Sequence, residues 1–296
     1  MITKLEDLSK KAQNLGKKAI IAGSNDTHVL EAVKDAKQLN IIEPIFIGDR
    51  KKTEQCASTV NFDISNFEII DCQSESQIAQ KAVELMHQDK ADILIKGLIN
   101  TAVILKWVLN KDYNLNTGNL LSHVALMEIP SYHKMIFISD AALNIAPDLE
   151  QKSSIVLNSI ILANKLGYEK PKVALISSNE KVSLKLESSV DAAILAKMGD
   201  RGLFGPCIID GPLALDIAIS KEALDQKGIK SQVNGDADIL IVPHIDAGNV
   251  LYKSLIHFAS AETAGVIVGS RKPVVVTSRA DSARSKLYSI ALSSLL

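Results

Sequence analysis

PVVVTSRADSARSKLYSIALSSLL, residues Pro273 to Leu296, sets a strand directly against a helix. The β-branched run Val274, Val275, Val276 and Thr277 reads as a buried strand, and the spacing after Asp281 reads as a helix. At the junction, Ser278, Arg279 and Asp281 put a hydroxyl, a guanidinium and a carboxylate within four residues. Ligands of open α/β sheets bind beyond the carboxyl ends of the strands. A helix N-terminus there offers unpaired N–H groups and the positive end of the helix dipole. The stretch reads as an anion site, for phosphate, with a serine and an acid beside it. A plainer reading makes Asp281 or Ser282 the N-cap and Arg279 a surface charge.

Working back along the chain, the same alternation recurs. Strands are expected at Lys18–Ser24, Glu43–Asp49, Phe67–Cys72 and Ala91–Gly97, with helices at Ser76–His87 and Thr101–Asn110. HVALMEIP and KMIFISD are separated only by Ser131, Tyr132 and His133, a spacing that permits an antiparallel hairpin. A long helix, Leu149–Leu166, opens a second series: strand Lys172–Ser178, helix Val190–Met198, strand PCIIDG and a helix from Pro212 to Ala223. Strand Ala237–Ile245, helix Gly248–Ala261 and strand GVIVGS complete it. Strands alternating with helices predict a mostly parallel three-layer α/β architecture.

The chain of 296 residues has length for two α/β domains. Its net charge of −1 argues against non-specific nucleic-acid binding. The three cysteines, Cys56, Cys72 and Cys207, match neither a disulfide framework nor a zinc spacing, which points to a reducing cytoplasm. The first residues read as a charged amphipathic helix, so no signal peptide is expected. No apolar run reaches membrane length. Neither G-x-G-x-x-G after a strand nor G-x-x-x-x-G-K-[ST] occurs, which weighs against Rossmann and P-loop chemistry. GDRGLFG, Gly199 to Gly205, lies between a helix and a strand and reads as a loop.

Other clusters have two readings each. Lys96–Gly97 at a strand end, with Thr101 opening the next helix, is either a second anion contact or a capped helix beside a surface lysine. Ser122 and His123 are strand neighbours on opposite faces, so they cannot form a dyad by themselves. Asp140, Asn144 and Asp148 suit caps and Asx-turns around a proline turn. Asp210 and Asp216 have no His or Cys at ligand spacing, and no metal site is expected. Asn249 and Lys253 lie one helical turn apart, facing either a phosphate or solvent.

PHIDAGNVLYKSLIHFASAETAGVIVGSRKPVVVTSRADS, with KGLINTA, TGNLLSHVALMEIP, SDAALNIAPDL and DGPLALDIAIS in the same order, resembles the phosphate acetyl/butyryltransferase family from Ala22–Gly23 onward. The short forms DAALNIAPDL, DGPLALDIA and TSRADS look most like its butyryl branch. The resemblance implies the fold of isocitrate and isopropylmalate dehydrogenases: two three-layer αβα domains with an interdomain cleft. It divides the chain into a first domain, 1–143 and 264–296, and an inserted second domain, 144–263.

It also implies an acyl-CoA plus orthophosphate giving an acyl phosphate plus CoA, through a ternary complex without metal. CoA is then a substrate and no cofactor is expected. Partners are acyl-CoA, CoA, phosphate and acyl phosphate, with a homodimer or higher homo-oligomer, no membrane and no nucleic acid. Ser278 carries over as the group stabilising the tetrahedral intermediate and Arg279 as a phosphate ligand. Lys96, Thr101, Asn144, Asn249 and Lys253 are the further phosphate or CoA contacts. Asp281 is the nearest acid for a general base, since Ser285 stands where acetyl-specific relatives carry their aspartate. Lys106 and Asn116 stand where butyryl-type relatives often carry arginine. Two other readings exist: a metal- and NAD-dependent dehydrogenase on the same fold, needing acids such as Asp210, Asp216 and Asp246, and a non-catalytic acyl-CoA or acyl-phosphate sensor.

Overall fold

The structure, a computed structural model, describes residues 2–116, 118–277 and 281–296. The chain divides into two compact units: Leu5–Asn119 with Thr263–Leu296, and Met1–Lys4 with Leu120–Glu262. In chain order the first contains α1 (Leu5–Ala12), β1 (Lys17–Ala22), α2 (Thr27–Gln38), β2 (Ile42–Gly48) and α3 (Arg50–Thr59). It continues with β3 (Ile69–Asp71), α4 (Glu75–His87), β4 (Ile93–Lys96) and α5 (Thr101–Val108). The second unit contains β5 (Ser122–Glu128), β6 (Ile136–Ser139), α6 (Leu149–Lys165), β7 (Lys172–Ile176) and α7 (Glu187–Asp200). Then come β8 (Ile208–Leu213), α8 (Leu215–Ile219), α9 (Lys221–Lys227), β9 (Ile239–Ile241) and α10 (Ile245–Ala259). The chain ends with β10 (Glu262–Val268), β11 (Val274–Val275) and α11 (Ala283–Ser294), which belong, from Thr263 on, to the first unit.

Strands of the first unit run in the order β3-β2-β1-β4-β11-β10. β1 pairs in parallel with β2 and β4, and β11 in parallel with β4, whereas β10 and β11 are antiparallel. Ala19 to Ala22 of β1 and all of β4 are buried, as the apolar runs KAIIA and ILIK require of strands covered on both faces. Each fully buried Ile contributes about 1.5–3 kcal/mol. α11 packs against both α1 and α2, so the chain's end completes a layer begun at its start. At the β2 edge, Phe46, Phe62 and Phe67 form a ring cluster with centroids 5.8–6.2 Å apart.

In the second unit the order is β5-β6-β9-β7-β8. β5 and β6 form the antiparallel hairpin, Val124 opposite Ser139, and the pairs β6–β9, β9–β7 and β7–β8 are parallel. Between α6 and α7, Lys152 Nζ donates to Asp191 across 2.5 Å with both side chains buried, a pair whose halving would strand a charge.

Four expectations are corrected. α3 lies where the sequence pattern predicts no helix, because RKKTEQCAST buries only Thr53 and Ala57 and shows no apolar stripe; Asp49 caps it by accepting from Lys52 N at 3.0 Å. Pro212 does not begin a helix: it lies in β8, and the helix starts at Leu215. α10 starts at Ile245 instead of Gly248, because His244 Nδ1 accepts from Ala247 N at 3.3 Å and caps it. The strand expected across Pro273–Thr277 is ladder-paired only at Val274–Val275.

The starts of three parallel strands are tied by one ion cluster. Asp236, just before β9, accepts from Lys172 Nζ at 2.7 Å, Lys134 Nζ at 2.8 Å and His133 Nε2 at 2.9 Å. Asp238 accepts from Lys134 Nζ and from Lys172 N, each at 2.7 Å. Burial alone would raise the Asp236 pKa, but the hydrogen bonds from Lys134, Lys172 and His133 prevail and hold it well below the usual carboxylate range. A folded-state pKa below the unfolded one gives stability that is full above the ordinary carboxylate pKa of about 3.9 and is lost as pH falls through and below it. Urea unfolding between pH 6 and pH 2.5 should therefore show a shallower pH dependence below pH 4 for Asp236→Asn than for the wild type. Parallel curves would contradict this role.

Candidate active site

In an α/β sheet the crevice lies where strand order reverses. In the first unit that point is the β1/β4 pair, since β2 and β3 extend to one side and β4 to the other. Ala22 ends β1 opposite Lys96, which ends β4, and Val275 of β11 lies opposite Ile95. The two following loops are locked backbone to backbone: Gly97 N donates to Ala22 O at 2.8 Å and Leu98 N to Gly23 O at 2.7 Å. A Cβ on Gly97 would sit 2.2 Å from Gly23 O, so only glycine allows this approach.

Three helices start around this crevice, each with a side-chain cap. Asp26 accepts from His28 N and Val29 N at the head of α2, and Asn100 Oδ1 accepts from Ala102 N at 2.9 Å at the head of α5. Thr101 is the first residue of α5, half-buried and not the cap. Ser282 Oγ accepts from Ser285 N at 3.1 Å at the head of α11. The cap is therefore Ser282, and the Asp281 carboxylate is not used for that purpose. Ser285 is buried and bonded to Ser282 Oγ at 3.2 Å, which suits helix packing and not a base. Lys96 is buried, with its Nζ donating to Gly97 O at 3.2 Å. Lys106 is exposed on α5, and Asn116 Oδ1 accepts from Gly118 N at 2.9 Å. Ser278 and Arg279 lie outside the described residues.

The second unit builds its cluster on Asp140, just after β6. Its buried carboxylate accepts five hydrogen bonds: Ala142 N and Leu143 N at 2.9 Å, His123 N at 3.1 Å, Asn144 N at 3.3 Å and Asn144 Nδ2 at 2.6 Å. Asn144 Nδ2 also donates to Leu121 O at 2.9 Å. Both of its amide hydrogens are taken, so Asn144 shapes the turn instead of presenting a donor to an anion. α10 docks on this turn. Asn249 Nδ2 donates to Ala141 O at 3.2 Å, and a Cβ on Gly248 would meet Asp140 O at 2.7 Å. Lys253, one turn further along α10, is exposed and has no ion pair among the described residues. The Asx-turn expected of Asp140 is present in its bonds from Ala142 N and Leu143 N; the convergence of five donors on it needs the fold.

Ser122 and His123 behave as their alternation requires: Ser122 Oγ accepts from Asn158 Nδ2 of α6 at 2.9 Å, whereas the His123 ring stands edge-on to Tyr252 of α10 at 6.3 Å. Asp216 is occupied by Lys227 Nζ at 2.9 Å, which also reaches Glu180. Among the described residues no group of three His, Cys, Asp or Glu side chains could hold a metal ion. No helix among them is long and apolar enough to cross a membrane.

Replacing Asp140 by Asn turns one of its two acceptor oxygens into a donor amid donors. Either orientation leaves N–H groups unpaired, at about 1–3 kcal/mol each for a buried group. Asp140→Asn should lower the unfolding free energy in urea by about 2 kcal/mol; an unchanged midpoint would contradict the five-bond arrangement.

Residues 3–82 and 75–294 match the family described as phosphate acetyl/butaryl transferase. The chain is 45% identical over 280 residues to a phosphate butyryltransferase of Clostridium acetobutylicum, covering 95% of this chain and 93% of the relative. It is 43% identical over 291 residues to a phosphate acetyltransferase of Thermotoga maritima, covering 98% of this chain and 99% of the relative. The crystal structure of a branched-chain phosphotransacylase from Enterococcus faecalis V583 superposes with a TM-score of 0.82 at 37% identity, covering 94% of this chain and 97% of that one. Matched along nearly its whole length in sequence and in structure, the chain belongs to the phosphate acetyl/butaryl transferase family and is a phosphate acyltransferase.

Proposed function

We propose that this enzyme interconverts a short-chain or branched acyl-CoA plus orthophosphate with the acyl phosphate plus CoA, on acyl groups of butyryl or isobutyryl size. The observation that carries the reading is the 45% identity to a phosphate butyryltransferase across 95% of the chain. The branched-chain phosphotransacylase at 37% identity supports the acyl size. A phosphate acetyltransferase at 43% makes acetyl the competing substrate.

In the direction of acyl-phosphate synthesis, a phosphate oxygen attacks the thioester carbonyl and the carbonyl π pair moves to oxygen. Collapse of the tetrahedral intermediate breaks the C–S bond, and the CoA thiolate leaves and takes a proton. In reverse, a base removes the thiol proton, the thiolate attacks the acyl phosphate carbonyl, and phosphate departs with the C–O bond pair. A thiol needs that deprotonation to be an effective nucleophile, and the oxyanion needs a donor already aimed at it.

Ser278 supplies the donor, Arg279 holds phosphate and Asp281 is the base. Lys96 and Thr101 contribute anion contacts at the β4–α5 turn. Asn249 and Lys253 offer polar groups on one face of α10, and Asn144 acts through the turn it braces. Both substrates bind before transfer, with no metal and no covalent acyl-enzyme. CoA is a substrate, and no resident cofactor is needed. The same reading makes the protein a cytoplasmic homodimer or larger homo-oligomer that uses neither membrane nor nucleic acid.

The test follows thiol release from butyryl-, isobutyryl- and acetyl-CoA with phosphate in the presence of chelator. Release should be phosphate-dependent and chelator-resistant, with butyryl-CoA preferred over acetyl-CoA by about 10-fold or more in kcat/KM, as two extra methylenes allow. Ser278→Ala should lower kcat by about 10²–10³-fold, the effect of removing one oxyanion donor. Acetyl-CoA as the better substrate would reject the acyl assignment, and abolition by chelator would reject the metal-free route.

A further inference from the structure

Lys286 occupies a position that helix chemistry disfavours. It is the fourth residue of α11, whose first turn contains no acid, and its side chain is 3% exposed. A cation in the first turn opposes the helix dipole, and burying an ammonium carries a desolvation penalty that an apolar side chain of similar length would avoid. Burial pushes the Lys286 pKa down, while the nearby Asp281 and Asp26 carboxylates pull it back in part. Capping of α11 does not explain it either, since Ser282 already serves that end. What the ammonium does is reach back past the cap and donate to the backbone carbonyl of Asp281.

We propose that Lys286 is a positioning residue for acyl transfer, clamping the backbone of Asp281 and so setting where that carboxylate stands. This rests on the reading of Asp281 as the base. The reach is five residues back along the chain, from one turn inside a buried helix to the residue just before its cap. The clamp point is therefore carried by α11, which packs on α1 and α2, and not by the loop itself. With Arg284, Lys286 also makes the head of α11 a basic, acid-free turn, favourable to an anion nearby.

The experiment compares wild type, Lys286→Met and Lys286→Arg in phosphate-dependent thiol release from butyryl-CoA, with thermal unfolding of each. Met keeps the apolar stem and removes the donor; Arg keeps a cationic donor. Expected are a folded Met variant with kcat at least 10-fold lower, KM for butyryl-CoA and phosphate within 2-fold of wild type, and recovery of a third or more of wild-type kcat by Arg. A folded Met variant with kcat within 2-fold of wild type overturns the proposal, as does a KM rise that accounts for the loss or an Arg variant no better than Met. Should Met fail to fold, Lys286→Gln takes its place under the same criteria. A wild type without phosphate-dependent release sinks the acyl-transfer reading and this proposal with it, whereas an active wild type with unaffected folded variants sinks this proposal alone.

Discussion

A strand buried on both faces has no side to give to water, and this constraint organises both units. β1 and β4 are buried along almost their whole length, so the crossovers that join such parallel strands are helices lying on the sheet. Every crossover then begins at the carboxyl edge of its strand. Helix starts, with their unpaired N–H groups, gather at that edge because there is nowhere else for them to start. Of the residues proposed for acyl transfer, Lys96, Thr101 and Asp281 lie at strand or helix ends of one unit, and Asn144 and Asn249 lie at and beside the turn after β6 in the other.

The two clusters solve different physical problems. In the first unit the turns after β1 and β4 are locked by main-chain bonds between Gly23, Gly97 and Leu98, an approach that a single added methyl would block. In the second unit a carboxylate does the holding. Asp140 gathers five N–H donors from two stretches of chain, His123 and residues 142–144, and the turn it creates receives the first turns of α10 through Asn249 and the absent side chain of Gly248. With its oxygens taken up by these five donors, the Asp140 carboxylate is scaffold and not reagent.

α11 combines both devices. Its Ser282 cap satisfies the helix, which leaves the Asp281 side chain out of the cap, and its buried Lys286 returns to Asp281 by the backbone. A loop residue is thereby referred to a packed helix. Precision at a reacting group comes from such rigid support more than from the loop's own conformational preferences.

Local pattern was enough for much of the fold. Apolar runs such as AIIA, ILI and VALI announced parallel strands, because strand period is a local property. α3 was illegible because its surface-facing sequence has no stripe, and Pro212 misled because a proline's fixed φ suits a helix start as well as a strand. Whether Asp281 or Ser282 caps α11 could not be read either, since both residue types cap equally well. Sequence by itself determined the residue types, the order of elements and the resemblance of blocks that placed the chain in its family. Only tertiary structure decided that Asp140 binds five donors, that Asn144 has none left to offer a ligand, and that Lys286 reaches Asp281. Each depends on where separate segments meet, and one-dimensional spacing does not carry that.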